Sequence, residues 1–266
     1  MVTRAVSTVV DTLLFLLLVS AAVFVVTGPT TEPVDVPADD TAEVLATSTA
    51  TVEYEVGGKG ETIRRRARGT YAGLLGRAAV ANATFSGRQV APDGPAFAAE
   101  VRGKTAAVLG ANTQVSARWT PYPGAPVAGQ VTVGPDPPPR ADVRVARLRV
   151  PVAVPSVDPE RTYGSVASGV SRAVARGMLP GSTAGLPLGN GPHRRAVAHR
   201  FDVLTRGSVA RTPAEPGDVT AARDVAARAL APAFAADLRG RFDSPRDAAT
   251  AVETGTATVV VRRWKG

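Results

Sequence analysis

A run of 21 residues, Val6 to Val26, carries a single charge, Asp11, and constrains this chain more than any other stretch. As a helix rising about 1.5 Å per residue it would span roughly 31 Å, close to the thickness of a bilayer hydrocarbon core. It is apolar on every face, unlike a helix that covers one side of a water-soluble core. Arg4 is the only basic residue before it, and none follows until Lys59. The positive-inside rule then puts the N-terminus in the cytoplasm and the remainder outside. A rival reading is a secretory signal cleaved near Val19-Ser20-Ala21-Ala22. The preferred organisation is a short basic leader (1–5), a transmembrane helix (6–27), an acidic stalk (28–40) and an extracellular domain (41–266). A subdivision of that domain near 151–162 is a variant. Asp11 inside the run either meets a polar partner, such as a neighbouring subunit's terminal amine, or is solvated near the headgroups.

The charge is uneven. Residues 28–61 hold eight acidic side chains against Lys59, a net −7, whereas residues 62–266 hold 29 basic and 14 acidic ones, a net +15. A basic body suits an anionic polymer, an anionic lipid surface or an acidic protein partner. Its arginines are scattered among few aromatics, which argues against a platform for single-stranded nucleic acid, so no nucleic-acid partner is expected. The chain has no cysteine, which excludes disulfides, zinc–thiolate sites and cysteine nucleophiles.

The periodicity beyond the stalk predicts a mixed set of elements. Asp39 or Asp40 can cap a short helix from Thr41 to Thr47. Thr51 to Val56 alternates as a strand, and Gly57-Gly58-Lys59-Gly60 reads as a turn, since the phosphate-loop frame is broken at Gly60. Tyr71, Leu74, Leu75, Ala78 and Ala79 mark a helix over 70–81, and Pro95 opens another with Phe97, Val101, Val108 and Leu109 on one face. Val115 to Trp119 alternates as a strand, and a short strand is expected over 130–133. Over Asp142 to Val150, Val143 and Val145 share a face, and Leu148 and Val150 continue it after a one-residue slip. That slip predicts a β-bulge near Ala146-Arg147 on a charge-protected edge strand. A helix follows from Tyr163 to Met178, then a helix or strand over 195–204. A long helical pattern over 219–242 carries Pro232, which is expected to kink or split it. Ser244-Pro245 opens another helix, and a β-branched strand ends the chain from Thr256 to Arg263. That lone strand needs pairing partners in the first half. The expected fold class is therefore α+β: one N-terminal transmembrane helix, then an extracellular domain with a mixed or antiparallel sheet and several helices.

Catalytic and metal chemistry finds little support. His193 and His199 lie about 240° apart around a helix, so they share no face. Gly169-Val170-Ser171-Arg172-Ala173 lacks the strand that a nucleophile elbow requires, and Ser171 reads as a helix-surface serine. Asp247 is explained by capping. No dinucleotide, EF-hand or zinc spacing occurs, and neither metal nor cofactor is expected. Asn82-Ala83-Thr84 is a glycosylation acceptor triplet, so Asn82 is a candidate modification site. Trp119-Thr120-Pro121-Tyr122-Pro123 is either a contact surface built on Trp119 and Tyr122 or a packed corner between strand and loop.

The junction Arg4-Ala5-Val6-Ser7-Thr8-Val9-Val10 resembles the start of haloarchaeal type IV pilins and pilin-like proteins. That resemblance implies cleavage between Ala5 and Val6, although Thr8 and Asp11 depart from the commonest pilin pattern. The segments 46–50, 118–125, 133–139 and 238–245 resemble those of a small uncharacterised haloarchaeal membrane-protein family that accompanies pilus and secretion systems. Extracellular haloarchaeal proteins are usually acidic, and this basic body departs from that. The resemblance lends context rather than chemistry; with the anchor and the absence of catalytic constellations it leads to the expectation of a non-enzymatic, single-pass membrane protein: a pilin-like or accessory component of an archaeal type IV pilus-related assembly or secretion system. Its partners would be the lipid bilayer, other pilin-like subunits or secretion-system membrane proteins. The alternative is a tethered extracellular binding protein for anionic envelope polymers or an acidic partner.

Overall fold

The structure is a computed structural model that describes residues 37–58, 61–157, 162–179, 192–205 and 219–265. Pro37–Gly266 forms one compact unit. Its elements in chain order are α1 (Ala38–Thr47), β1 (Thr49–Gly58), β2 (Glu61–Thr70), α2 (Tyr71–Ala81), β3 (Thr84–Phe85), β4 (Arg88–Gln89), α3 (Gly94–Ala106), β5 (Thr113–Trp119), β6 (Val127–Val133), β7 (Val143–Pro151), α4 (Tyr163–Met178), α5 (Pro192–Thr205), α6 (Val219–Arg241), α7 (Pro245–Ala251) and β8 (Thr256–Trp264).

The strands form a two-stranded hairpin, β1–β2, and a six-stranded sheet ordered β4-β3-β6-β5-β8-β7, with every pairing antiparallel. The C-terminal strand β8 runs between β5 and β7, so it is inserted one strand in from the β7 edge and joins two earlier strands that do not pair with each other. The expected bulge is absent. Val143 to Pro151 pairs continuously with Trp264 to Thr256. Ala146 and Val150 point into the core, with Leu148 half-buried between them, and Val145 is 42% exposed on the other side. The apparent slip came from counting Val143 and Val145 as core; they belong to the open face of an edge strand.

The inner face of the sheet is covered by α1 and α2. Helix α2 begins where Thr70 accepts a hydrogen bond from the Gly73 amide at 3.1 Å, and it buries Leu74, Leu75, Ala78 and Ala79. It approaches the sheet too closely for side chains at two contact points. A Cβ on Gly76 would stand 2.6 Å from Val150, and one on Gly129 would stand 1.9 Å from the Ala79 carbonyl oxygen. Helices α4 and α6 pack side by side. Helix α4 starts with a capping box between Thr162 and Ser165. Helix α6 keeps Pro232 within a single 23-residue element. Helix α1 begins earlier than expected, at Ala38 after Pro37, so Asp39 and Asp40 lie in its first turn rather than at its cap.

The expected fold class needs one correction. Among the described residues no helix is long and apolar enough to cross a membrane. The longest, α6, carries Arg223, Asp224, Arg228, Asp237, Arg239 and Arg241 and is built to pack on one side. Among the described residues the fold class is α+β with antiparallel sheets and seven helices, and the N-terminal transmembrane helix of the sequence reading finds no support there. Residues 6–27 lie outside the described residues, as do Ala5, Val6 and Asp11.

Candidate interaction surface

The outer face of the sheet is open. Strands β5, β6, β7 and β8 contain six arginines and no aspartate or glutamate. Strand register fixes where their outward residues stand. One row runs Val145, Arg262, Gln114; the next runs Arg147, Val260, Ser116, Thr132; the third runs Arg149, Thr258, Arg118, Gln130. Four arginines therefore surround a small floor of Val260, Thr258 and Ser116. Neighbouring strands lie about 4.8 Å apart and alternate residues about 7 Å apart, so the cations are spaced by roughly 7–10 Å across the face.

These arginines are held differently. Arg262 donates to the Gln114 carbonyl oxygen at 3.0 Å and to Ser116 Oγ at 3.3 Å. Gln114 is buried and donates its own amide to Asp136 at 2.5 Å. The guanidinium of Arg262 is thus oriented by neutral groups and keeps its charge available. Arg149 forms an ion pair with Glu253. Arg118 and Arg147 are exposed, and neither is paired with an acidic residue among the described residues. Arg144 and Arg263 stand directly opposite each other at the far end of the inner side, a like-charge cross-strand pair, and Arg263 Nε is buried without a partner.

A second concavity, about 400 Å³, lies between the β1–β2 hairpin and α3, lined by Glu53, Tyr54, Glu55, Arg64, Ala96, Ala99 and Glu100. Glu53 is committed to Arg66, which donates at 2.5 and 3.0 Å and holds that carboxyl below the usual range. Tyr54 leans on Phe97 with ring centroids 4.8 Å apart. The cleft contains neither a nucleophile with an adjacent base nor a metal cluster; no such cluster occurs among the described residues.

The residues singled out from sequence are dispersed. Trp119 and Tyr122 are 0% and 1% exposed, so they are not a contact surface. Trp119 Nε1 donates to the Thr254 carbonyl at 2.8 Å, and Tyr122 packs edge-on against Phe234 and Phe242. The packed-corner reading describes them correctly. Asn82 is the C-cap of α2, and its Nδ2, the atom a glycan would take, donates to the Gln130 carbonyl at 2.9 Å. His199 reaches the Gln89 carbonyl at 3.3 Å; the side chain of His193 lies outside the described residues. Ser171 is fully buried and donates to the Ala167 carbonyl inside α4, rather than lying on the helix surface. Asp247 serves the α7 cap, its amide donating to Ser244 Oγ at 3.1 Å.

Sequence reasoning recognised the basic side of β7 but assigned it to edge protection. The quartet was missed because it is assembled from three strands. The available signal was the absence of any acidic residue in four consecutive strand segments. Strand β2 was not read either, because Arg64-Arg65-Arg66-Ala67-Arg68 has no apolar alternation. Cross-strand pairing of Glu53 with Arg66 and Glu55 with Arg64 supplies what the pattern lacks.

No curated protein and no solved structure matches the chain. A profile of the family of unknown function DUF7284 matches residues 10–264, and the chain belongs to that family.

Proposed function

We propose that this protein is a non-enzymatic interaction subunit of the cell envelope, a pilin-like or accessory component of a pilus-related assembly or secretion system. In this reading the protein is held at the membrane and its body is displayed on the outer side. The observation that carries the proposal is the open sheet face, with Arg118, Arg147, Arg149 and Arg262 on strands that contain no acidic residue. An antiparallel sheet needs only one covered face to be stable, so the other is available for a partner. Exposed arginine is favoured at interfaces because its planar fork pairs with carboxylates and stacks on aromatic rings.

The test is chemical cross-linking of native membranes followed by mass spectrometry of purified protein. Cross-linked peptides joining the segments 113–133 or 143–151 to another envelope protein, or to a second copy, are expected. Only intramolecular cross-links on that face would overturn the reading. The N-terminus of the same sample separates the pilin-like form from an ordinary signal: a chain beginning at Val6 supports it, and one beginning near Ala22 sinks it.

A second reading rests on the spacing of the same arginines, which suits the repeating charges of an anionic envelope polymer. It requires retention on a polyanion matrix that falls steeply as salt rises. Elution at the position of a neutral protein at low salt would exclude it.

A further inference from the structure

The inference concerns what meets the open arginine face, and it rests on the interaction-subunit reading above. Helix α1 has two opposed sides. Ala38, Ala42 and Leu45 are buried and face the core, against β7 and β8. At 100° per residue, Asp39, Glu43, Thr47, Asp40 and Val44 occupy an arc of about 140° on the opposite side. Asp39, Asp40 and Glu43 are all exposed, and α1 contains no basic residue. None of the three carboxylates is in an ion pair among the described residues. Val44 beside them is 48% exposed, one of three large apolar side chains left so open among the described residues.

The same two strands thus carry an acidic helix on their inner side and the arginines on their outer side. Within one molecule these surfaces point in opposite directions and cannot meet. Between two molecules they are complementary. The carboxylates of Asp39 and Glu43 are four residues apart, with Cβ atoms about 6 Å apart; Arg147 and Arg262 are diagonal neighbours on paired strands, about 7–8 Å apart. Each surface has one exposed valine among its charges: Val44 on the helix, and Val145, 42% exposed, on the sheet.

We propose that the protein associates head to tail, the exposed acidic side of α1 in one copy docking on the Arg118, Arg147 and Arg262 face of the next. Because the two patches differ, the contact is heterologous, and it propagates into a ring or a filament rather than closing as a twofold dimer. A helix of ten residues is about 15 Å long and covers far less than the roughly 800 Å² per partner of a stable complex, so each contact is weak. Alignment of many copies at a membrane supplies the effective concentration that a dilute solution lacks.

Charge-reversal complementation with the full chain in detergent micelles tests the proposal. One variant carries Asp39→Arg, Asp40→Arg and Glu43→Arg; the other carries Arg118→Glu, Arg147→Glu and Arg262→Glu. Sedimentation at low salt should show concentration-dependent self-association of the unaltered protein, weakened roughly tenfold or more in either variant alone. Mixing the two variants should restore association, because each then offers the sign the other needs. The circular dichroism of each variant confirms that it folds. Mixtures that remain as dissociated as the separate variants would overturn the proposal, as would an unaltered protein that stays monomeric at every concentration. If that protein is monomeric yet cross-links through the sheet face to a different envelope protein, self-docking fails while the interaction-subunit reading stands.

Discussion

Arg200 of α5 donates a hydrogen bond to Asp93 at 2.6 Å, across 107 residues of sequence, with both side chains only 15% exposed. A second guanidinium nitrogen of Arg200 donates to the Met178 carbonyl at 3.1 Å, in the last turn of α4. Arg223 of α6 donates to the neighbouring Leu179 carbonyl at 2.7 Å. Two arginines from two helices thus satisfy the end of a third, where carbonyls lack intrahelical donors and the helix dipole favours positive charge. Asp93 precedes α3 without capping it, which leaves its carboxylate free for Arg200.

That arrangement predicts non-additive mutants. Removing either partner of a charge pair this well covered leaves the other charge poorly solvated. Arg200→Ala and Asp93→Ala should each cost about 2–4 kcal/mol. The double mutant should fall short of their sum by about 1 kcal/mol or more, as coupled neighbours do. Urea midpoints for the four proteins of the cycle measure this. Strict additivity would show that the pair contributes no coupling.

The Trp119 corner predicts the second outcome. Its indole NH closes a hydrogen bond to Thr254, which itself donates to the Pro155 carbonyl at 2.5 Å. Trp119→Phe keeps most of the ring but strands the buried Thr254 carbonyl, a loss of about 1–3 kcal/mol. Trp119→Ala adds a cavity and should cost about 3–5 kcal/mol. Thermal melts of both variants check the order; equal losses would mean that the hydrogen bond contributes nothing.

The close approach of α2 to the sheet at Gly129 predicts a contrast with a glycine that stands in open space. Gly129→Ala places a methyl against the Ala79 backbone, where no side-chain motion relieves the clash, and should destabilise by about 3 kcal/mol or more. Gly103→Ala lies at an exposed position of α3, where an added Cβ meets nothing within 4 Å, and should stabilise by about 0.5–1 kcal/mol. Denaturant titration separates the two by sign. A destabilising Gly103→Ala would show that α3 is constrained by something other than its own propensity.

How much of this could be read from sequence depended on whether the signal was local. Helices α2, α4 and α7 were legible because the signal sits within the element: the apolar spacing of Tyr71, Leu74 and Leu75, that of the stretch from Tyr163 to Met178, and the Ser244-Pro245 start. Strand β8 was legible from its β-branched run, and its lone position at the chain end predicted long-range pairing. What could not be read was set by partners distant in sequence. Arg65 and Arg66 look like loop until Tyr54 and Glu53 stand opposite them. Trp119 and Tyr122 look like a binding motif until Thr254 and Phe234 bury them. The arginine face required the register of β7 on β8 and of β8 on β5, which a bulge wrongly placed at Ala146 would have broken.

Tyr122 predicts how stability responds to alkali. Burial, and then the nearby Asp237 carboxylate, push its phenol well above the ordinary value of 10.0, with Arg241 opposing. Both oxygens of Asp237 already accept from Arg241, at 3.0 and 3.2 Å, and the buried Tyr122 hydroxyl closes no hydrogen bond. A phenol that ionises less readily when folded contributes stability that is fully present below pH 10. As pH rises past 10 the unfolded chain releases that proton and the folded chain does not, so this contribution is lost at about 1.4 kcal/mol per pH unit. Tyr122→Phe removes this dependence. Near pH 8 it should change stability by less than about 1 kcal/mol, because the hydroxyl has no partner to lose. Above pH 10.5 the variant should become the more stable protein. Urea unfolding at pH 8, 10 and 11 measures the crossover, and parallel pH profiles for the two proteins would show that Tyr122 ionises as readily in the fold as in the unfolded chain.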